Sequence, residues 1–214
     1  MFVMIMDENT NLVWYASYGS NINKERFLCY IRGGQPNGAA KEYAGCSDPT
    51  LPSGDEELYI NSQLYFAKSS GNWNNCGVGF LSNNFDRKTQ TWGRMYLITK
   101  QQFVQVFEQE THRKNVVIDF ERAITEAYTF APGSWYGRII YLGEQGGNPI
   151  FTFTNEDELT PTKPSSDYLK TIAAGIKECY PYSNEDIASY FINKPGIKDI
   201  YSPEEITAIL AVLD

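Results

Sequence analysis

Apolar and polar positions along the 214 residues repeat at two distinct periods. Residues 12–18 read as a first strand that stops abruptly at Gly19-Ser20-Asn21. Behind it, Phe27, Tyr30 and Ile31 recur at helical spacing, and Gly33-Gly34 closes the short helix they define. Residues 35–57, rich in Gly, Pro, Asn and Asp, predict a long irregular loop, and loops of that length inside a compact domain often carry function. From Leu58 the period drops to two: Leu58, Ile60, Leu64 and Phe66 alternate with Tyr59, Asn61, Tyr65 and Ala67. Further strands are predicted over residues 76–81, 91–98, 124–130, 135–142 and 149–154, with a turn at Asn83-Asn84-Phe85-Asp86. Six or seven strands on short turns predict a sheet that closes, or nearly closes, into a barrel.

Helices punctuate this block and then replace it. Thr99 and Gln102 form a capping box that starts a helix running to about Glu110. Ser166 is read as the cap of a second helix carrying Tyr168, Ile172, Ile176 and Cys179, and Ser183 opens a third that ends near Lys194-Pro195-Gly196. Ser202, Pro203 and Glu205 occupy the N-cap, N1 and N3 places of a last helix presenting Ile206, Ile209, Leu210 and Leu213. The expected class is α+β, a β-rich core with helices on its outside and at its C-terminal end. Core packing is the expectation for the last helix; pairing with a second copy is the alternative, and the oligomeric state stays open.

Glu110 is the most informative position. Phe103, Phe107 and Glu110 fall at i, i+4 and i+7, so all three project from one face, while Glu108 points elsewhere. A carboxyl on an apolar stripe resists ionisation, and enzymes use that setting to obtain a proton shuttle near neutral pH. The alternative is a helix that frays before residue 110 and leaves the carboxylate in water. The segment Tyr15-Ala16-Ser17-Tyr18-Gly19-Ser20-Asn21-Ile22 is a second candidate: a strand, a tight turn and a helix start, whose backbone N–H groups converge on one anion-sized spot. An ordinary capped turn is the other reading.

Charge and composition narrow the field. With 18 Lys and Arg against 26 Asp and Glu, a net charge of -8 repels nucleic acid and anionic membranes, so neither is an expected partner. No stretch approaches the ~20 apolar residues of a membrane span, and the apolar run at residues 1–6 is too short for a signal peptide. A cytoplasmic location is expected. Cys29, Cys46, Cys76 and Cys179 are scattered and His112 stands alone, so free thiols are expected, with no metal and no organic cofactor. The 15 tyrosines suit the wall of a wet pocket, although sheet faces account for most of them. Ser20 lies in Y-G-S-N-I, which lacks the G-x-S-x-G of a nucleophile elbow, and neither a Walker sequence nor a dinucleotide fingerprint is present.

Four segments taken together bear a resemblance. Tyr15-Ala16-Ser17-Tyr18-Gly19-Ser20-Asn21 resembles the Y-x-x-Y-G-S-N signature of γ-glutamylcyclotransferases and their AIG2-like relatives. Trp92-Gly93-Arg94-Met95-Tyr96 is similar to that family's W-G-x-x-Y strand, Phe107-Glu108-Gln109-Glu110 to its D-E-Q-E, and Pro164-Ser165-Ser166-Asp167-Tyr168 to its P-S-x-x-Y helix start. The resemblance covers about residues 12–180, with residues 35–57 and the final helices outside it. It implies a small mixed β-barrel flanked by helices, a domain over residues 1–180 and a helical extension over 181–214 packed on it. It further implies conversion of a small-molecule γ-glutamyl amide or amino acid to 5-oxoproline and a free amine, with Glu110 as the catalytic acid/base. Tyr15, Ala16, Ser17, Tyr18, Gly19, Ser20, Asn21 and Tyr168 would then meet the substrate, with its glutamyl α-carboxylate in the Tyr18-Gly19-Ser20-Asn21 cradle. Two departures stand out: Ala16-Ser17 where the family often has Phe-Ala, and His112-Arg113 shortly after Glu110. A non-catalytic binding protein on the same fold, or an enzyme acting on a carrier-linked γ-glutamyl group, are the competing readings.

Overall fold

The first strand, β1 (Leu12–Ser17), lies in the interior of a six-stranded mixed sheet. The structure, a computed structural model, describes residues 11–37 and 41–213; the apolar run at residues 1–6 and part of the expected loop lie outside the described residues. On one side of β1 runs β5 (Thr91–Thr99), antiparallel with Tyr15 opposite Tyr96, and beyond it β2 (Gly54–Ile60). On the other side β8 (Asn148–Thr154) is parallel, followed by β7 (Arg138–Gln145) and the two residues of β6 (Tyr128–Thr129).

The sheet curls into a half barrel. Strands β3 (Ser62–Ser70) and β4 (Cys76–Phe85) form a separate hairpin, so the closed backbone ladder expected from the strand count is interrupted. Threonine hydroxyls bridge both seams. Thr91 Oγ1 donates to the Ser62 carbonyl at 2.6 Å, and Thr154 Oγ1 both donates to the Leu81 carbonyl (2.8 Å) and accepts from its N–H (3.1 Å).

Local differences from the pattern have local causes. The alternation through residues 58–67 is broken at Asn61, where the chain passes from the sheet to the hairpin without changing its period. The expected loop gives its last four residues to β2, and β4 runs through the turn expected at residues 83–86 as far as Phe85. The strand expected over residues 124–130 is cut short: α3 (Phe120–Thr125), started by Asp119, whose side chain accepts from the Arg122 N–H, takes its first two residues, and β6 keeps only two.

Helices α1 (Lys24–Arg32) and α2 (Lys100–Thr111) share a core with one face of the sheet, where Tyr15, Phe27, Phe103, Phe107, Phe151 and Phe153 are buried together. A second core joins the hairpin to α4 (Ser166–Cys179), α5 (Asn184–Ile192) and α6 (Pro203–Leu210) through Phe66, Phe80, Ile172, Ile187, Phe191 and Leu210. Each such side chain contributes roughly 1.5–3 kcal/mol by leaving water. The cap of α4 is Ser165, one residue earlier than expected; its hydroxyl accepts from the Tyr168 N–H at 3.2 Å.

Lys194, just past α5, is buried with its Nζ 4.1 Å from the Tyr190 ring centre and donating to the Gln90 carbonyl at 3.2 Å. Burial lowers its pKa from 10.5 to about 8. Between those two values the unfolded chain holds more protons, so the folded state gains stability as pH rises from 8 toward 10.5. Lys194→Met removes that dependence. The stability difference, mutant minus wild type, should fall by up to about 3 kcal/mol across this window in paired urea titrations.

Candidate active site

Period-two alternation along β1 sends Tyr15 and Ser17 to the face that carries α1 and α2, while Trp14 and Ala16 pack with Met95 and Ile150 on the other. Ala16 therefore does not line the cavity that its neighbours line; it contributes its carbonyl, which accepts from Thr152 Oγ1 at 2.7 Å. The chain leaves the strand at Tyr18, whose hydroxyl donates to the Phe153 carbonyl at 2.8 Å, and tightens into a 3-10 turn at Ser20–Ile22. Asn23 then caps α1 by accepting from the Arg26 N–H at 3.0 Å.

The back of this turn is clamped. Tyr96 Oη donates to the carbonyls of Asn21 (2.9 Å) and Ile22 (3.1 Å), and Arg94 reaches the Ile22 carbonyl at 3.3 Å. Arg94 is itself fixed by ion pairs to Asp55 and Glu178, each at 2.8 Å. Burial would raise the Asp55 pKa, but the hydrogen bonds and charges of Lys24 and Arg94 outweigh it and hold this carboxyl below its usual range. Gly175 of α4 lies against the same turn with no room for a side chain. On the front, a Cβ at Gly19 would come within 2.9 Å of the Tyr168 hydroxyl, which accepts from the Gly79 N–H at 2.9 Å.

Glu110 occupies the last turn of α2 on the face of Phe103 and Phe107, and is half-buried. His112 follows in the left-handed region (φ 53°) and ends the helix, so the carboxylate stands at the rim of the cavity rather than deep in the core. Asn21 Nδ2 donates to Glu110 Oε1 at 3.2 Å and approaches the Tyr15 hydroxyl at 3.4 Å. Asn21 is 4% exposed, and its Oδ1 has no hydrogen-bond partner among the described residues. Glu108 is spent elsewhere: its Oε1 accepts from the Val116 N–H at 2.8 Å and ties down the segment after α2.

The turn, Glu110 and Tyr168 share one cavity of about 120 Å³, room for a small ligand rather than a single water. Tyr15, Ser17, Tyr18, Gly19, Ser20 and Asn21 all line it. So do groups that sequence reasoning missed: Arg26, Tyr30, Lys41, Tyr43, Trp73 and Tyr136. Arg26 and Tyr30 carried a signal, four residues apart on one face of α1; Tyr43 and Trp73 arrive from a loop and a hairpin tip, which no local pattern foretells. Burial first, and Glu110's charge with it, pushes the Tyr15 and Tyr30 hydroxyls upward. Tyr168 is pushed by burial to about 12. These phenols keep their protons at neutral pH; Tyr30 donates its own to the Tyr43 hydroxyl at 3.2 Å, which leaves Tyr15 and Tyr168 as O–H donors to the cavity. Burial lowers the Lys41 pKa, against the pull of Glu110.

Tyr168→Phe leaves the buried Gly79 N–H without its acceptor. A stability loss of about 1–3 kcal/mol is expected in urea denaturation, since an unpaired buried donor bears its full desolvation cost.

No protein-family model matches the chain. Among curated proteins it is 32% identical over 209 aligned residues to histone deacetylase 5 of Arabidopsis thaliana. That match covers 86% of this chain and 31% of the relative, so the chain spans under a third of that protein's length. Among solved structures, a γ-glutamyl cyclotransferase superposes with a TM-score of 0.53 at 18% identity, covering 94% of this chain and 99% of the other. An uncharacterized human protein gives 0.52 at 19% identity over the same shares. YkqA from Bacillus subtilis gives 0.50 at 16% identity, over 87% of this chain and 56% of its own. At such identities the likeness is one of fold. The chain has the γ-glutamyl cyclotransferase fold, α+β with a mixed half barrel and flanking helices. Among the described residues, no helix is long and apolar enough to cross a membrane, and no group of three His, Cys, Asp or Glu side chains is placed to hold a metal ion.

Proposed function

We propose that this chain is a γ-glutamyl cyclotransferase: it releases 5-oxoproline and a free amine or amino acid from a γ-glutamyl compound, with Glu110 as the proton shuttle. The observation that supports this most is the meeting of Glu110 and Asn21 at 3.2 Å in one cavity with the Tyr18-Gly19-Ser20-Asn21 turn, on the cyclotransferase fold. The substrate's α-ammonium is placed against Glu110, an acceptor suited to an N–H-rich cation. Glu110 takes one proton from it. The neutral amine attacks the γ-carbonyl carbon, a C–N bond forms to close the five-membered ring, and the old amide C–N bond breaks as Glu110 returns the proton to the leaving nitrogen; the ring nitrogen gives up its second proton along the same carboxylate, and the amine departs as an ammonium. The Tyr15 and Tyr168 phenols are donors available to the carbonyl oxygen as it gains charge, whereas the Tyr18, Tyr30 and Tyr136 hydroxyls already donate within the protein.

The substrate must be bound folded back on itself. A clamped turn, rather than a mobile loop, supplies that fixed geometry, and much of the rate comes from positioning. The reaction as written uses no metal or organic cofactor, and the partner is a small γ-glutamyl compound.

The test is 5-oxoproline release from a panel of γ-glutamyl amino acids and γ-glutamyl amines. Turnover of at least one member is expected. Binding of panel members by wild type and Glu110→Gln alike, with no turnover by either, would instead identify a ligand-binding protein on this fold.

A further inference from the structure

Arg26 is a cation the reaction above leaves unused. It is 7% exposed and lines the cavity. Its Nε donates to Ser20 Oγ and its Nη2 to the Tyr43 hydroxyl, both at 2.9 Å and both neutral oxygens; the guanidinium lies 4.8 Å from the Trp73 ring centre. Among the described residues no carboxylate stands within ion-pair distance of it. The contrast with Arg94 is direct: that guanidinium is as deeply buried but carries two carboxylates, Asp55 and Glu178.

A guanidinium does not shed its charge, and a buried charge without a counter-charge is costly. Glu110 shares the cavity and bonds Asn21, but it stands beyond ion-pair distance of Arg26. Lys41 lines the same cavity, so two cations face one carboxylate there, and the space between them favours an anionic group. The N–H donors that Arg26 does not spend on Ser20 and Tyr43 suit a carboxylate oxygen.

We infer that Arg26 is a specificity-determining residue that binds a substrate carboxylate. Its grip on the Ser20 hydroxyl places it at the turn where the family resemblance puts the α-carboxylate of the γ-glutamyl group, so that carboxylate is its ligand. This rests on the cyclotransferase reading and narrows its substrate class to γ-glutamyl compounds with a free α-carboxylate. The turn contributes neutral dipoles; Arg26 contributes the charge.

Two measurements test it. The first is calorimetric binding of L-glutamine against 4-aminobutanamide, which lacks only the α-carboxylate. Wild type should prefer glutamine by roughly 10- to 100-fold, the worth of a charge-assisted contact. Arg26→Gln should erase the preference, and Arg26→Lys should restore part of it. The second is turnover of γ-glutamyl methylamide, whose α-carboxylate is its sole carboxylate, and of 4-aminobutanoyl-glycine, whose sole carboxylate is on the leaving amine. Arg26→Gln should raise KM for the first by a similar factor, with a smaller change in kcat, and spare the second. Loss confined to the second compound would assign the carboxylate to the leaving amine and overturn the inference. Equal loss on both, or equal wild-type affinity for glutamine and 4-aminobutanamide, would reduce Arg26 to a structural role. Should Arg26→Gln not fold, the wild-type binding ratio decides. A wild type that prefers glutamine yet turns over nothing would sink the cyclotransferase reading and keep the role of Arg26.

Discussion

Glu110→Gln is expected to lower turnover of a γ-glutamyl substrate by roughly 10²- to 10⁴-fold, the usual worth of a positioned acid/base. The substitution is nearly isosteric. Its amide oxygen can still accept from Asn21 Nδ2, the contact seen at 3.2 Å, and the site is half-buried at a helix end. Folding stability should therefore stay within about 0.5 kcal/mol of wild type, as for other substitutions that break no core packing. Part of the substrate affinity should survive, because Arg26, the turn and the tyrosines are untouched and only the charged contact to the α-ammonium is weakened. What is lost is the ability to take a proton from the attacking amine and hand it to the departing one. Glu110→Asp keeps the acid but withdraws it by one methylene from Asn21, so it should fall between the two. Single-turnover kinetics with ligand binding measured in parallel separate these effects. A Glu110→Gln protein that retains wild-type turnover would remove Glu110 from the mechanism.

The largest expected structural effect is at Gly175. A Cβ there would lie inside the backbone of the turn, 2.5 Å from the Ile22 carbonyl carbon and 2.8 Å from Asn23 Cα. Neither neighbour can swing away, because both are main chain, held from behind by Tyr96 and Arg94. Gly175→Ala must push α4 off the turn or the turn off its clamp. A loss of about 3 kcal/mol or more is expected by urea denaturation, at the upper end for overpacking by a single methyl-sized group. Activity should fall further than stability explains, because Tyr168 on α4 and Asn21 in the turn would no longer share one geometry. Gly175→Ala with wild-type stability would show that α4 does not fix the turn.

Both features trace to short-range patterns that the sequence exposes. The face shared by Phe103, Phe107 and Glu110 follows from helical spacing alone, and the Tyr18-Gly19-Ser20-Asn21 turn from a strand that stops at glycine. Alternation along β1 would also have set Ala16 apart from Tyr15 and Ser17, had it been applied residue by residue. The rest was not legible. Asn61 breaks one alternating run into two strands that belong to different sheets, and the period is the same on either side of the break. Asp119 starts a helix that takes Ile124 and Thr125 from the front of the expected strand. Tyr43 and Trp73 reach the cavity through a loop and a hairpin tip, so their place depends on the whole fold. The charge balance that makes Arg26 stand out exists only once the carboxylates have been seen to pair elsewhere.

The central claim is that the bond to the γ-carbonyl is made by the substrate's own amine and not by water. Turnover of γ-glutamyl-alanine, or of whichever panel member is consumed fastest, in ¹⁸O-water decides this by the mass of the product. The expected product is 5-oxoproline without label, released in equal amounts with the free amine and abolished by Glu110→Gln. Glutamate carrying ¹⁸O would make the protein a hydrolase and contradict that claim.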